Sequence, residues 1–348
     1  MPGIWTSQNK VLPGAYVNFL TNTPLSITPG DRGMVVMLQE MTVGTQNEMY
    51  TITATDTSEW PSNATATDKF LAGEALKCAK NVIVYNLGAA THDNADLATA
   101  LTALKTVEFD VLCYPYVTGA ETNHTTIETW IDAMRNDEGR KITAVLADYV
   151  ADNEAIINVT QAVKLSDGTT LTNVQTTAWV AGATAGASIS TSNTGRKYDG
   201  AIDVVPRMTK SEMESAVTAG EFIFKVDAAQ NVTAVYDINS LTTITAAKGK
   251  QFTKNRVIRT LDSINNDIVQ IFESNYVGKT NNNADGRSLL RATLIEYFNE
   301  LQRLSAIQNF TAEDVTVAAG VDSDAVVIDC NIRPVDSIEK IYISVNLS

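Results

Sequence analysis

Residues 81–88, with the sequence NVIVYNLG, decide the fold. An apolar run of this length is typical of a strand that is buried on both faces. Helical patterns separate it from other apolar runs, for example at 66–80 and 125–137. The other runs are GMVVMLQEM at 33–41, FDVLCYPYV at 109–117 and KITAVLADYV at 141–150. This alternation predicts an α/β domain with a mainly parallel sheet.

The second half of this domain continues the pattern. We expect one further strand over 155–163, AIINVTQAV, and a hairpin formed by 221–227 and 232–238. Residues 176–190, TTAWVAGATAGASIS, form a helical pattern of small residues. Within it, Gly182 and Gly186 would let another element approach closely, because glycine has no side chain to obstruct it.

The character of the sequence changes near residue 246. Two long helices are predicted, at 253–277 and 287–307, and the second carries a continuous apolar face. That face consists of Leu290, Leu294, Tyr297, Phe298, Leu301 and Leu304. Two strands follow, at 325–335 and 339–348, so this part is α+β. We therefore divide the chain into an N-terminal arm (1–20), an α/β core (21–245) and a C-terminal domain (246–348).

Both ends of the chain have the alternation of a strand. Near the N-terminus Ala15, Val17 and Phe19 share one face, and the closing segment EKIYISVNLS alternates strictly. Its apolar face comprises Ile341, Ile343, Val345 and Leu347. An exposed strand needs a partner for its backbone groups. The closing strand either pairs beside 325–335 in its own domain or exchanges with another chain.

A basic cluster lies in residues 248–259, KGKQFTKNRVIR, which contain five cations and no acid. Lys254, Arg256 and Arg259 fall in the first turns of a helix, where positive charge is unfavourable. The next predicted helix begins with Arg287 and Arg291. Either these side chains form a solvated face, or they meet an anion outside the chain.

Composition excludes several classes of function. The net charge of −14 disfavours nucleic acid as a partner, because phosphate binding needs a basic surface. Cys78, Cys113 and Cys330 are far apart and favour buried, reduced thiols. The sequence contains no apolar run long enough to span a membrane, no secretion signal at its start, and no cofactor or metal motif.

Two catalytic readings are weak. Gly278-Lys279-Thr280 matches the end of a phosphate-binding loop, but Glu273 occupies the position of its first glycine and a helix precedes it. His92 and His124 are the only histidines, and we expect both at the surface. The hydrolase alternative would place one of them beside a serine and an acid.

The C-terminal third resembles that of contractile tail sheath proteins of myophages, defective prophages and R-type bacteriocins. The resemblance is carried by KNRVIRTLDSINNDI, by YVGKTNNNADGRSLLRATLIEYFNELQ and by IRPVDSIEKIYISVNL. WVAGATAGA and DGAIDVVPRMTKSEMESAVTAGEFIF resemble the α/β core of that family, which is subtilisin-like but not proteolytic. LPGAYVNFL resembles its arm.

The resemblance implies a structural subunit without enzymatic activity, which polymerises helically around an inner tail tube and contracts. It implies exchange of the arm and the closing strand between subunits. The basic helix starts would then face the tube, and baseplate and terminator proteins would meet the ends of the polymer. Synthesis would occur in a bacterial cytoplasm.

Larger relatives insert a β-rich domain after the strand matching NVIVYNL, and only GAATHDN stands here. Another self-assembling shell is the remaining alternative. Hinges are expected near 8–14 and 330–338.

Overall fold

The computed structural model describes residues 32–89, 91–117 and 120–345. The strands are β1 (Met34–Glu40), β2 (Met49–Ile52), β3 (Asn81–Gly88), β4 (Val111–Cys113), β5 (Thr143–Ala147), β6 (Ile156–Val159), β7 (Ala162–Leu165), β8 (Thr170–Leu171), β9 (Ala201–Val205), β10 (Glu221–Phe222), β11 (Phe224–Val226), β12 (Val232–Ala234), β13 (Val315–Ala319) and β14 (Val326–Cys330). The helices are α1 (Ala66–Leu76), α2 (Asn94–Leu104), α3 (Ala120–Asn136), α4 (Asn173–Ala185), α5 (Lys210–Thr218), α6 (Asn255–Ile271) and α7 (Ala284–Arg303).

The core is built on a seven-stranded sheet with the order β10-β6-β5-β4-β1-β3-β2. All its pairs are parallel except the one between β2 and β3. Alternate residues of β1 face opposite sides: Val35 and Met37 pack toward α1 and α4, whereas Val36 and Leu38 pack toward α2 and α3. The predicted α/β class and mainly parallel sheet are confirmed.

The expected strand over 155–163 is wrong, because two strands occupy this stretch. β6 belongs to the large sheet, whereas β7 pairs with β8 and β9 in a separate antiparallel sheet. The side chain of Gln161, fully buried at the break, accepts a hydrogen bond from Phe224 N at 2.7 Å and donates one to Pro206 O at 2.8 Å. A polar side chain thus joins three segments at this point.

The small-residue helix packs closely, as predicted. A Cβ atom on Gly182 of α4 would lie 2.1 Å from Ala75 O of α1, and one on Gly186 would lie 1.8 Å from Cys78 O. Neither distance is possible, so glycine is required at both positions. The expectation for the cysteines holds only for Cys113, which is buried, while Cys78 and Cys330 are half-buried free thiols.

After the core comes helix α6, and a C-terminal body packs against it that consists of α7 and the antiparallel β13–β14 hairpin. Five residues of the predicted apolar face of α7 are buried, and Leu304 is half-buried. The helix starts three residues earlier than predicted because Asn283 caps it, accepting a hydrogen bond from Gly286 N at 2.8 Å. The loop before α7 follows α6 and a π-helical turn (Phe272–Tyr276), so the phosphate-loop reading fails.

Candidate assembly site

The closing segment leaves the body of the protein. Ile341, Ile343 and Val345 are 73%, 79% and 78% exposed, and no strand pairing is assigned to residues 340–345. β14 pairs with β13 instead, so the alternative in which the closing strand lies beside 325–335 is not observed. We call residues 340–345 the tail. Leu347 and the arm residues Ala15, Val17 and Phe19 lie outside the described residues.

The β13–β14 hairpin has no third strand beside it in the described part of the chain. It forms a two-stranded sheet among the described residues. Val326 and Ile328 pack on the C-terminal core, whereas Val327 points outward and is 57% exposed. A two-stranded sheet is marginally stable alone, and its outer edges offer unpaired backbone groups to a further strand.

The tail starts from a segment that is held by side-chain contacts. Glu339 accepts a hydrogen bond from Thr194 Oγ1 at 2.7 Å and forms an ion pair with Lys254. Arg256 donates to Ser337 Oγ at 2.7 Å. Asp336 lies 3.8 Å from the Lys254 ammonium group. We call residues 336–339, with these contacts, the tail anchor.

These contacts contradict the expectation that the cations of α6 face outward. Lys254, Arg256 and Arg259 are only 7%, 7% and 3% exposed. Arg259 donates to Thr191 O at 2.8 Å and lies 3.4 Å from an oxygen of Asp237. For Lys254 and Arg259 neither predicted alternative holds, because acids of the same chain, Glu339 and Asp237, pair with them. Sequence reasoning missed Asp237 and Glu339 because they lie far from α6 along the chain, although Glu339 is the only acid in the closing segment.

Arg287 and Arg291 of α7 are half-buried and also have partners within the chain. Arg287 donates to Asn282 Oδ1 at 2.9 Å, and Arg291 donates to Val315 O at 2.8 Å. Both side chains keep part of their surface exposed. They are the members of the predicted basic set that can still meet a partner.

Buried polar contacts join α6 to the core on one side and to the C-terminal body on the other. Arg135 of α3 forms a bidentate ion pair with Asp262, in which both N–O distances are 2.8 Å. Asn266 exchanges two hydrogen bonds with the backbone of Lys141, each at 2.9 Å. Tyr297 of α7 donates to Asp267 at 2.6 Å. The core and C-terminal body are therefore linked through one helix.

The histidines are not at the surface, which contradicts the expectation for both. His92 Nδ1 lies 2.7 Å from Glu40 Oε1, and His92 Nε2 lies 2.7 Å from the Tyr114 hydroxyl group. That hydroxyl accepts from Asn123 at 2.8 Å, which leaves its own proton for His92 Nε2. Burial raises the pKa of Tyr114 to about 12, so this hydroxyl is a poor nucleophile at neutral pH.

The second histidine, His124, is buried in α3, and its Nε2 atom lies 3.1 Å from the backbone oxygen of Tyr116. Burial lowers the pKa of His124, which favours a neutral imidazole. Across the described ranges, no serine hydroxyl group hydrogen-bonds to either histidine. The arrangement that the hydrolase alternative requires is not formed there.

No described helix is long and apolar enough to cross a bilayer.

Three family models match the chain in succession. They are the tail sheath protein Gp18 domain III N-terminal region over residues 32–87, the phage tail sheath protein central domain over 90–240 and the phage tail sheath C-terminal domain over 247–348.

Individual relatives agree with this assignment. The phage-like element PBSX protein XkdK of Bacillus subtilis is 32% identical over 95% of this chain and 72% of its own length. A sheath tail protein from Desulfitobacterium hafniense superimposes with a TM-score of 0.84 at 34% identity, covering 95% of this chain and 99% of that one. The chain belongs to the phage tail sheath family.

Relatives can be longer than this chain. The uncharacterized protein YqbK of Bacillus subtilis is 38% identical over 74% of this chain, and the match spans 57% of YqbK. In this chain β3 ends at Gly88 and α2 begins at Asn94, so only a short connection stands between them.

Proposed function

We propose that this protein is the structural subunit of a contractile tail sheath. Many copies polymerise helically around an inner tail tube, through head-to-tail contacts that do not close into a ring. On triggering, the subunits rotate into a wider and shorter helix, and the tube is driven through the target envelope. The extended sheath is a kinetically trapped state. The proposed division is arm 1–20, core 21–245 and C-terminal domain 246–348.

The observation that carries this proposal is the exposed tail. Burying an isoleucine side chain contributes roughly 1.5–3 kcal/mol, so leaving Ile341 and Ile343 in water is costly for an isolated chain. Pairing with a strand of another copy would bury this face and satisfy its backbone groups. We propose that the arm residues Ala15, Val17 and Phe19 of one copy and the tail of another, with Leu347, form this exchanged pair. The outer edges of β13–β14 offer a place for it.

The contacts of α6 support movement of each subunit as one body. The Arg135–Asp262 pair and the Asn266 contacts fix the core to α6, and Tyr297 fixes α7 to the same helix. A rotation that changed the angle between core and C-terminal body would have to break these buried bonds. Motion is therefore expected between subunits rather than inside one.

Contact with the inner tube is assigned to the half-buried Arg287 and Arg291. Partly exposed cations form weak ion pairs, which suits a contact that must break on contraction. Lys254, Arg256 and Arg259 are not assigned to this contact, because all three are buried and bonded inside the chain. Lys254 and Arg259 pair with acids, and Arg256 donates to the Ser337 hydroxyl group. Baseplate and terminator proteins are the partners proposed for the ends of the polymer.

The sheath role needs no catalytic group, cofactor or metal. Synthesis in the bacterial cytoplasm and assembly into a virion tail or bacteriocin particle complete the proposal. A hydrolase would require a nucleophile beside His92, where the structure has Tyr114.

A truncation tests this function. The full chain and a chain ending at Lys340 are each combined with the tube protein of the same genome and viewed by negative-stain electron microscopy. The proposal predicts sheathed tubes from the full chain and bare tubes from the truncated one, which keeps the whole tail anchor. Sheathed tubes from both would refute the strand link. Bare tubes from both would refute the sheath function.

A further inference from the structure

Glu339 is an acid buried inside an otherwise exposed segment. Its neighbours Ile338 and Ile341 are 87% and 73% exposed, whereas the Glu339 side chain is only 7% exposed. An ionised carboxylate is buried only where it is paired and hydrogen-bonded. Glu339 is therefore the last residue of the chain that is bonded to the body of the protein in the described ranges, and the exposed tail begins after it.

The partners of Glu339 come from two separate parts of the fold. Lys254 is the residue that precedes α6, and its ammonium group also donates to the Tyr236 hydroxyl at 2.5 Å. Thr194 and Ser192 lie in a core loop, and Ser192 Oγ is 3.3 Å from the carboxylate. The end of the chain is thereby attached to the core and to α6 at once.

The preceding residues are held as well. Asn331 N donates to Asp314 O at 2.9 Å, and Val335 N donates to Ala306 O at 2.9 Å. Ser337 receives the Arg256 hydrogen bond. The hinge expected near residues 330–338 is therefore held at several residues, and no such contact is found beyond Glu339 in the described part of the chain.

We propose that the tail anchor is a positioning device for strand exchange, with Lys254 and Glu339 as its central pair and the pivot at Lys340. This inference rests on the proposed sheath function. Ile341 is two residues beyond Glu339, and two residues span at most about 7 Å. The acceptor strand of the other copy must therefore come close to the start of α6, so the anchor sets the spacing between linked subunits.

A protease experiment tests the anchor on the unassembled full chain. Arg333 precedes proline, so Lys340 is the trypsin site of this region, and release of residues 341–348 is followed by mass spectrometry. Lys254→Met removes the cation without changing the cleavage site. Lys248→Met is the matched control, because it removes an ion pair to Glu154 that does not touch the tail anchor.

The proposal predicts that Lys254→Met accelerates release about tenfold or more. Trypsin must bind residues 337–339 beside the cleaved bond in an extended form, and the anchor holds these residues, so cleavage follows the population in which the anchor is open. Lys248→Met should release the peptide at the wild-type rate. Equal rates for Lys254→Met and wild type, at unchanged circular dichroism, would overturn the proposal.

If Lys254→Met does not fold, Glu339→Gln decides instead. It keeps the shape of the side chain and an acceptor for Thr194 but loses the charge. A peptide of residues 334–348 with the same substitution corrects for the preference of trypsin. Faster release after this correction supports the anchor, and an unchanged rate rejects it. Because the chain is unassembled, the result does not depend on whether sheaths form.

Discussion

Arg135 and Asp262 lie 127 residues apart in the sequence and form an ion pair whose two N–O distances are both 2.8 Å. The side chains are 10% and 6% exposed, and Arg135 also donates to Ile142 O. This pair joins α3 of the core to α6, and through α6 to the C-terminal body.

Asp262→Ala should destabilise the protein by about 3–5 kcal/mol, because it leaves the Arg135 charge buried without a partner. The free energy of unfolding is measured by urea denaturation. Glu300→Ala is the control, since it breaks an ion pair to Arg303, whose side chain is 70% exposed, and should cost no more than about 1 kcal/mol. Equal losses for the two variants would mean that the buried pair does not connect the domains.

Gly182→Ala should destabilise the core by about 1–3 kcal/mol or more, because α1 and α4 must separate to admit the new methyl group. Gly73→Ala is the matched control in α1. Its Cβ would meet only a methyl group of Thr55, at 3.0 Å, and alanine favours the helix. Thermal unfolding of both variants compares them. A loss for Gly182→Ala no larger than that for Gly73→Ala would refute the close packing.

The tail anchor should open in acid. Burial opposes the charge of Glu339, but hydrogen bonds and charge from Lys254, with a hydrogen bond from Thr194, lower its pKa below the ordinary value of 4.5. A lowered folded pKa means that the contribution to stability is complete above the unfolded value and is lost as pH falls through the folded value. The loss should therefore begin below pH 4.5. Titration of the Glu339 carboxyl carbon by nuclear magnetic resonance measures this, and Lys254→Met should raise the midpoint. A midpoint at or above that of a peptide of residues 334–348 would contradict the anchor.

Replacing the apolar face of the tail should impair assembly without destabilising the monomer. Ile341→Ser with Ile343→Ser would remove roughly 1.5–3 kcal/mol of burial for each side chain from every strand contact. Sheath formation, measured by sedimentation, should require a protein concentration at least about tenfold higher. Val321→Ser is the control, because this fully exposed valine lies in the hairpin turn outside the tail. A double variant that assembles like the control would exclude the tail from the contact.

The α/β core was predicted correctly from the sequence because buried parallel strands appear as continuous apolar runs, as in β1 and β3. The prediction of one strand over 155–163 was wrong, because β6 and β7 are adjacent in sequence but belong to different sheets. The side chain of Gln161 bonds to Pro206 and Phe224 at this division, and no local pattern in the sequence reveals such contacts.

The candidate site was predicted less completely for a related physical reason. The alternation of Ile341, Ile343 and Val345 indicated a strand that needs a partner. The charges of Lys254 and Arg259 left a solvated face and an outside anion as alternatives, and did not indicate that Glu339 and Asp237 of the same chain pair with them. When an ion pair joins residues that are distant in the sequence, the sequence shows an unfavourably placed charge but does not show which residue pairs with it.

Photo-crosslinking tests the central claim most directly. Benzoylphenylalanine is placed at Tyr342, which is 90% exposed, and sheaths are assembled from a mixture of ¹⁴N-labelled and ¹⁵N-labelled copies. The account predicts crosslinks from the tail to residues 12–20 or to β13–β14, in peptides that combine the two isotopes. Crosslinks found only between peptides of the same isotope would place the tail on its own chain and contradict strand exchange.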